Sequence, residues 1–138
     1  MPFPQLTVDD TFVRLENELA LSWLAGRRGG ERTLTRDEAS GQRPRLLGPL
    51  NFNSANRIQL LGAAEVRMFS DDASLLPDRF EYSLEGSTDV FMVSDGLEPP
   101  PGLIALAERH GIALLRSALR YSELLKRLRH ELTRALAE

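Results

Sequence analysis

Two short apolar runs, Val90-Phe91-Met92-Val93 and Ile112-Ala113-Leu114-Leu115, contain no polar residue at all. A strand that leaves one face in water alternates apolar and polar side chains, so an unbroken run of this kind predicts a strand covered on both faces. Between the runs stand three prolines, Pro99 to Pro101, then Leu103, Ile104, Leu106 and Ala107, and finally His110-Gly111. This is the pattern of a short helix closed by a glycine in the left-handed capping position. Residues 89–116 therefore predict a strand–helix–strand crossover, with parallel strands and a right-handed connection. A doubly covered parallel pair requires helices on both sides of a sheet, and the remainder of the chain has to supply them.

The rest of the sequence supplies strands and helices in alternation. Thr7-Val8-Asp9-Asp10 sets a capping hydroxyl three residues before a carboxylate, and Val8, Phe12, Leu15 and Leu19 follow at helical spacing. Leu21-Ser22-Trp23-Leu24-Ala25 reads as a short strand broken by Gly26-Arg27-Arg28-Gly29-Gly30. From Glu31 to Pro49 the periodicity fades, which predicts a long loop with a strand fragment around Leu46-Leu47. Arg57-Ile58-Gln59-Leu60-Leu61 is a compact strand ended by Gly62, with two helical turns from Ala63 to Phe69 behind it. Pro77 as a first helical residue, Phe80 and Leu84 four apart, and Gly86 predict another helix. After Ser117, the residues Tyr121, Leu124, Leu125, Leu128, Leu132, Ala135 and Leu136 form a stripe along one face of a final helix. The expectation is one α/β domain with a mostly parallel sheet flanked by helices: residues 1–116 as the body and 117–138 as an amphipathic C-terminal helix.

Composition removes many chemistries. The chain has 138 residues, enough for one core, and no cysteine, which excludes disulfides, thiolate metal sites and cysteine nucleophiles. Two histidines cannot build a histidine-rich metal centre, and no metal ligands are assigned. Of 17 basic residues only Lys126 is a lysine, and it stands between Leu125 and Arg127 far from any glycine, so it cannot belong to a phosphate-binding loop. The net charge of −3 gives no strongly basic face and hence no nucleic-acid partner. No stretch is long and apolar enough for a membrane span, and Met1-Pro2-Phe3-Pro4-Gln5 lacks the character of a secretory signal, which points to the cytoplasm. His110 at a helix end and His130 on a polar face read as a capping and a solvated histidine. The neighbouring Asp71 and Asp72, and Glu81 with Glu85, read as exposed carboxylates.

Three segments stand out. Gly26-Arg27-Arg28-Gly29-Gly30 could cradle an anion, although a flexible surface loop is the favoured reading because no helix start follows it. Asn51-Phe52-Asn53-Ser54-Ala55-Asn56-Arg57 places three asparagines before a buried strand, where side-chain amides satisfy turn backbone. Ser94-Asp95-Gly96-Leu97-Glu98-Pro99-Pro100-Pro101 lies between the carboxyl end of a strand and the next helix, a place where open α/β sheets bind ligands. Asn56, Arg57, Asp95, Gly96 and Glu98 are thus candidate ligand or structural-turn residues. Asp95 and Glu98 are predicted to cap the helix that follows, with Gly96 at positive φ. Leu124, Leu128 and Leu132 are the candidate interface on the last helix, where an exposed apolar stripe would promote self-association.

The order and spacing of Asn56-Arg57-Ile58-Gln59-Leu60-Leu61-Gly62, Asp95-Gly96-Leu97-Glu98-Pro99-Pro100-Pro101 and His110-Gly111-Ile112-Ala113-Leu114-Leu115-Arg116 resemble the N-terminal domain of HPr kinase/phosphorylase. The resemblance covers residues 45–138 well and the first 45 loosely. It implies a bifunctional parent that phosphorylates a serine of the phosphocarrier HPr with ATP or pyrophosphate and removes that phosphate by phosphorolysis. It also implies a fold similar to Mur ligase N-terminal domains. The family's phosphate-binding loop, magnesium ligands and catalytic aspartate belong to a C-terminal kinase domain, so no catalytic residue carries over, and ATP and magnesium would bind outside this chain. The expected role is a non-catalytic regulatory or assembly domain, with residues 117–138 as the helix connecting to the missing kinase domain, that domain as partner, HPr reached through the parent, and a homo-oligomeric parent. The alternative is a stand-alone small-ligand or protein-binding module of the same fold, and an enzyme in its own right comes third.

Overall fold

The computed structural model describes residues 5–35, 45–50, 56–86 and 88–137. In chain order these form β1 (Gln5–Thr7), α1 (Val8–Leu15), β2 (Leu21–Ala25), β3 (Thr33–Thr35), β4 (Arg45–Pro49), β5 (Asn56–Leu61), α2 (Ala63–Asp71), α3 (Leu75–Glu85), β6 (Val90–Val93), α4 (Leu103–His110), β7 (Ala113–Ser117) and α5 (Tyr121–Ala137). Five strands make one sheet in the order β2-β7-β6-β5-β4, and β1 pairs with β3 separately. The ladders β4·β5, β5·β6 and β6·β7 are parallel, and β2 runs antiparallel to β7 along one edge. The mostly parallel α/β sheet read from the sequence is the one observed.

Strand alternation divides the core into two layers. Successive side chains point to opposite faces, so Ile58, Leu60, Val90, Met92, Ala113 and Leu115 face one way with Val8, Leu15, Leu124, Leu128 and Leu132. Leu61, Phe91, Val93, Ile112 and Leu114 face the other way with Phe69, Leu76, Phe80, Leu103 and Ala107. The steps from β5 to β6 and from β6 to β7 run in the same direction across the sheet, so right-handed connections place α2, α3 and α4 on one face. That leaves α1 and α5 to cover the other. Phe80 stacks on Phe91 at 4.8 Å between centroids, and both rings are fully buried. Each such side chain stabilises the fold by about 1.5–3 kcal/mol relative to exposure.

Several local expectations change. Thr33–Thr35, inside the expected long loop, is a strand, because pairing with β1 satisfies its backbone. The strand around Leu46-Leu47 is present as β4. Pro77 is the third residue of α3 and not the first; the early N–H groups of a helix have no internal acceptor, so a proline is tolerated there. The Gly26–Gly30 segment is a tight helical turn over Arg27–Glu31 with Gly29 and Gly30 buried, not a flexible loop. At Gly26 φ is +68°, and a Cβ would lie 1.7 Å from the Ile112 carbonyl oxygen. Only glycine fits that approach. Leu124, Leu128 and Leu132, offered as an interface, are each 0% exposed within the chain's own core. Periodicity identifies the apolar face of a helix but does not say what covers it, and here α1 and the sheet do. Asn51 to Ala55 lie outside the described residues, as does the side chain of Leu136.

Candidate functional site

The two sets of candidate residues occupy opposite ends of the sheet. Asn56 and Arg57 open β5 at its amino edge, whereas Asp95, Gly96 and Glu98 follow β6 at its carboxyl edge, roughly 16 Å away along a five-residue rise. The structure therefore does not bring them together.

At the amino edge, Asn56 is fully buried and its Nδ2 donates to Gln59 Oε1 at 2.9 Å. Gln59 Nε2 donates in turn to Ser83 Oγ at 3.1 Å and to Thr88 Oγ1 at 3.4 Å, while Thr88 Oγ1 donates to the Asn56 carbonyl at 2.5 Å. Gln59, oriented by Asn56, thus ties β5 to α3, and the Asn56 carbonyl ties it to the residue leading into β6. Arg57 Nη1 donates to Asp89 Oδ2 at 3.2 Å, and Arg32 Nη1 lies 3.7 Å from Asp89 Oδ1. Burial raises the Asp89 pKa above its ordinary 3.8, against the opposing pull of Arg57 and Arg32. Gln59, Ser83, Thr88 and Asp89 were not singled out in the sequence. A glutamine in the middle of an apolar strand was the one available signal, since a buried amide requires partners.

The arginines of the Gly26–Gly30 turn are also committed within the fold. Arg27 packs over the Trp23 ring at 4.1 Å and pairs with Asp9 at 2.7 Å. Arg28 Nη2 donates to the carbonyls of Glu108 at 2.7 Å and Arg109 at 3.3 Å, which places a cation at the negative end of α4. The Gly26 N–H goes to Glu108 Oε1 at 2.6 Å. An anion cradle does not form from groups already bonded to the chain.

The carboxyl edge is where parallel α/β sheets open to ligands, and here the chain itself closes it. Ser94, Asp95, Gly96 and Leu97 form a tight turn closed by Leu97 N–H donating to the Ser94 carbonyl at 3.1 Å. Asp95 and Gly96 both have positive φ, 58° and 61°. Asp-Gly is a favoured pair for a turn with two left-handed residues, so the expectation for Gly96 is met. Asp95 is a cap, but of α5 and not of α4: its Oδ2 accepts the Tyr121 N–H at 3.2 Å and the Ser94 hydroxyl at 2.6 Å. The reason is geometric, because Asp95 and Gly96 donate their own N–H groups to the Leu119 and Ser117 carbonyls at 2.7 and 2.8 Å, turning the loop toward α5. Glu98 caps nothing. Its side chain is 88% exposed and pairs with Arg116 at 3.2 Å, while α4 is preceded by Gly102 and has no side-chain cap.

The start of α2 is closed in the same way, since the Glu65 carboxylate accepts the Gly62 N–H at 2.8 Å. Tyr121 packs over Gly62, and burial together with the Glu65 charge raises its phenol pKa above 10. Two helix N-termini that could each receive an anion thus already face a carboxylate. Among the described residues no group of three or more His, Cys, Asp and Glu side chains could hold a metal ion. An open groove of about 620 Å³ runs along α5, lined by Tyr121, Leu125, Lys126, Arg129, His130 and Thr133 among others. No helix of the described residues is long and apolar enough to cross a membrane.

Comparison with known proteins agrees with the resemblance in the sequence. The family model described as HPr Serine kinase N terminus matches residues 6–132. The chain is 34% identical over 137 residues to the HPr kinase/phosphorylase of Chromobacterium violaceum, an alignment covering 97% of this chain and 42% of the relative. It is 30% identical over 133 residues to the enzymes of that name from Xanthomonas axonopodis pv. citri and Xanthomonas oryzae pv. oryzae, covering 96% of this chain and 42% of each. The chain spans about two fifths of the length of these relatives. With the family model matching nearly the whole chain, the chain belongs to the HPr serine kinase N-terminal family.

Proposed function

We propose that this chain is the non-catalytic N-terminal regulatory or assembly domain of a bifunctional HPr kinase/phosphorylase. The observation that carries the reading is the family match over residues 6–132, combined with coverage of only 42% of each relative. The geometry supports it: the carboxyl edge, where a ligand-binding sheet would open, is closed by Asp95, Glu65 and the chain leading into α5. In this reading the parent phosphorylates a serine of HPr with ATP or pyrophosphate and reverses the reaction by phosphorolysis. ATP and magnesium bind in the kinase domain, which is the partner of this one. The parent works in the cytoplasm as a homo-oligomer. Phosphoryl transfer needs a phosphate cradle and metal carboxylates, and the described residues form no group of three or more carboxylate or histidine side chains that could hold a metal ion.

The test uses purified chain, the catalytic portion of the Chromobacterium relative, HPr and radiolabelled ATP with magnesium. The expected result is no label on HPr from the chain alone, and binding of the chain to the catalytic portion with a changed balance of kinase and phosphorylase rates. Label transferred by the chain alone would overturn the non-catalytic reading. Failure to bind or to alter either rate would remove the regulatory and assembly role. The alternative, a binding module for a small ligand or protein segment, draws on the groove along α5. Saturable amide shifts confined to Tyr121, Leu125 and Arg129, seen on adding a candidate ligand without the kinase domain, would favour it.

A further inference from the structure

Two non-glycine residues among those described have positive φ, Ala20 at 49° and Asp95 at 58°. L-residues avoid this region, alanine more than aspartate. The two are far apart in sequence yet grip the same short segment, residues 117–121, which joins β7 to α5. On one side, the Ala118 N–H donates to the Ala20 carbonyl at 3.2 Å, and the buried Ser117 hydroxyl donates to the Leu19 carbonyl at 2.5 Å. On the other side, Gly96 N–H reaches the Ser117 carbonyl at 2.8 Å and Asp95 N–H the Leu119 carbonyl at 2.7 Å. The Asp95 carboxylate takes the Tyr121 N–H at 3.2 Å. Ser117 Oγ also accepts the Leu119 N–H at 3.0 Å, so the hydroxyl fixes the turn of the segment itself as well as its tie to Leu19.

We infer that the β7–α5 joint is a clamp that sets the axial position and tilt of α5. The row Leu124, Leu128 and Leu132 decides which face of α5 meets the core, but apolar contact is non-directional and a row of similar side chains can slip by a turn. Directional hydrogen bonds to backbone groups on both sides remove that freedom. The 17 residues of α5 reach about 25 Å, so a tilt of about 10° at the joint moves the far end by about 4 Å. Left-handed backbone at both jaws, strained at Ala20, is retained because it aims the gripping groups, the circumstance in which such conformations persist. The clamp gives the connecting-helix reading a physical basis, and its geometry stands even if that reading fails.

The chain has no cysteine, so nitroxide labels at Thr133→Cys paired with Ser70→Cys, or with Glu81→Cys, report the position of α5 by pulsed electron spin resonance. All three positions are exposed. Asp95→Asn keeps an acceptor and tolerates positive φ, and is expected to retain the unsubstituted distance distribution. Asp95→Gly combined with Ser117→Ala removes the side-chain bonds on both sides of the clamp and is expected to displace or broaden at least one distribution by about 3 Å or more, by the lever arm of α5. A folded double variant with both distributions unchanged would overturn the clamp. If the double variant does not fold, Asp95→Gly alone decides: amide exchange at Tyr121 should rise about tenfold while α4 amides hold their rates, one lost bond being worth about that factor. Unchanged Tyr121 exchange would equally overturn it.

Discussion

The Asp95 carboxylate joins a turn at the carboxyl edge to the first turn of α5, through Tyr121 N–H at 3.2 Å and Ser94 Oγ at 2.6 Å. Replacing it with alanine removes a helix cap and leaves a left-handed position without the side chain that tolerates it. Asp95→Ala is expected to cost about 0.5–2 kcal/mol in urea unfolding, whereas Glu98→Ala, at a side chain 88% exposed, should stay within about 0.5 kcal/mol. A larger loss at Glu98 than at Asp95 would reverse the assignment. Gly26 lies at the other extreme. Its φ of +68° and the 1.7 Å approach of a Cβ to the Ile112 carbonyl leave a side chain no room, because the obstacle is backbone. Gly26→Ala is expected to lose on the order of 3 kcal/mol or more, beyond the usual range for a point substitution, read as a depressed melting temperature or no folded protein.

Among the elements, α5 carries the largest change of meaning. Its leucines Leu124, Leu128 and Leu132 are buried against α1 and the sheet, and its outer face holds the pair Glu123–Arg127 at 2.6 Å. Leu128→Ala is expected to cost about 2–5 kcal/mol, the range for a leucine deleted from a packed interior. Leu125→Ala, at a partly buried position, should cost less than half of that. Replacing Leu128 and Leu132 by lysine buries two unpaired charges, so the expected outcome is loss of the cooperative unfolding transition and not a smaller particle in light scattering. A folded, dissociated variant would restore the interface reading for those residues.

At the scale of the whole molecule, the charge network at the amino edge couples stability to pH. The Asp89 pKa is raised in the folded state by burial, with Arg57 and Arg32 opposing. A carboxylate whose folded pKa is raised adds stability below its unfolded value near 3.8, and that addition is lost as pH rises through the folded value. Asp89→Asn removes the titration, so the stability of the unsubstituted chain relative to the variant should grow on acidification from about pH 7 to about pH 3.5. Urea midpoints for both proteins across that range check the sign, and a difference that shrinks in acid would mean that the arginine pairing outweighs burial. The exposed Glu123 has a pKa lowered first by its hydrogen bond from Arg127, and it acts in the opposite sense.

What the sequence determined by itself was the periodic content of the fold. Unbroken runs at Val90–Val93 and from Ile112 marked strands buried on both faces, the Thr7–Asp10 capping box marked the start of α1, and Asp95-Gly96 marked a left-handed turn. Each is local, because side-chain period and backbone preference act within a few residues. Partners across long separations were decided only by the tertiary structure. Asp95 caps a helix that begins 26 residues later, Arg28 caps one whose end lies 80 residues away, and the leucine stripe of α5 meets the sheet and α1 where it had suggested a free surface. Hydrogen bonds and close packing depend on positions in space that chain topology sets, and a polar side chain such as Gln59 or Ser117 carries no record in its local sequence of which group will arrive to satisfy it.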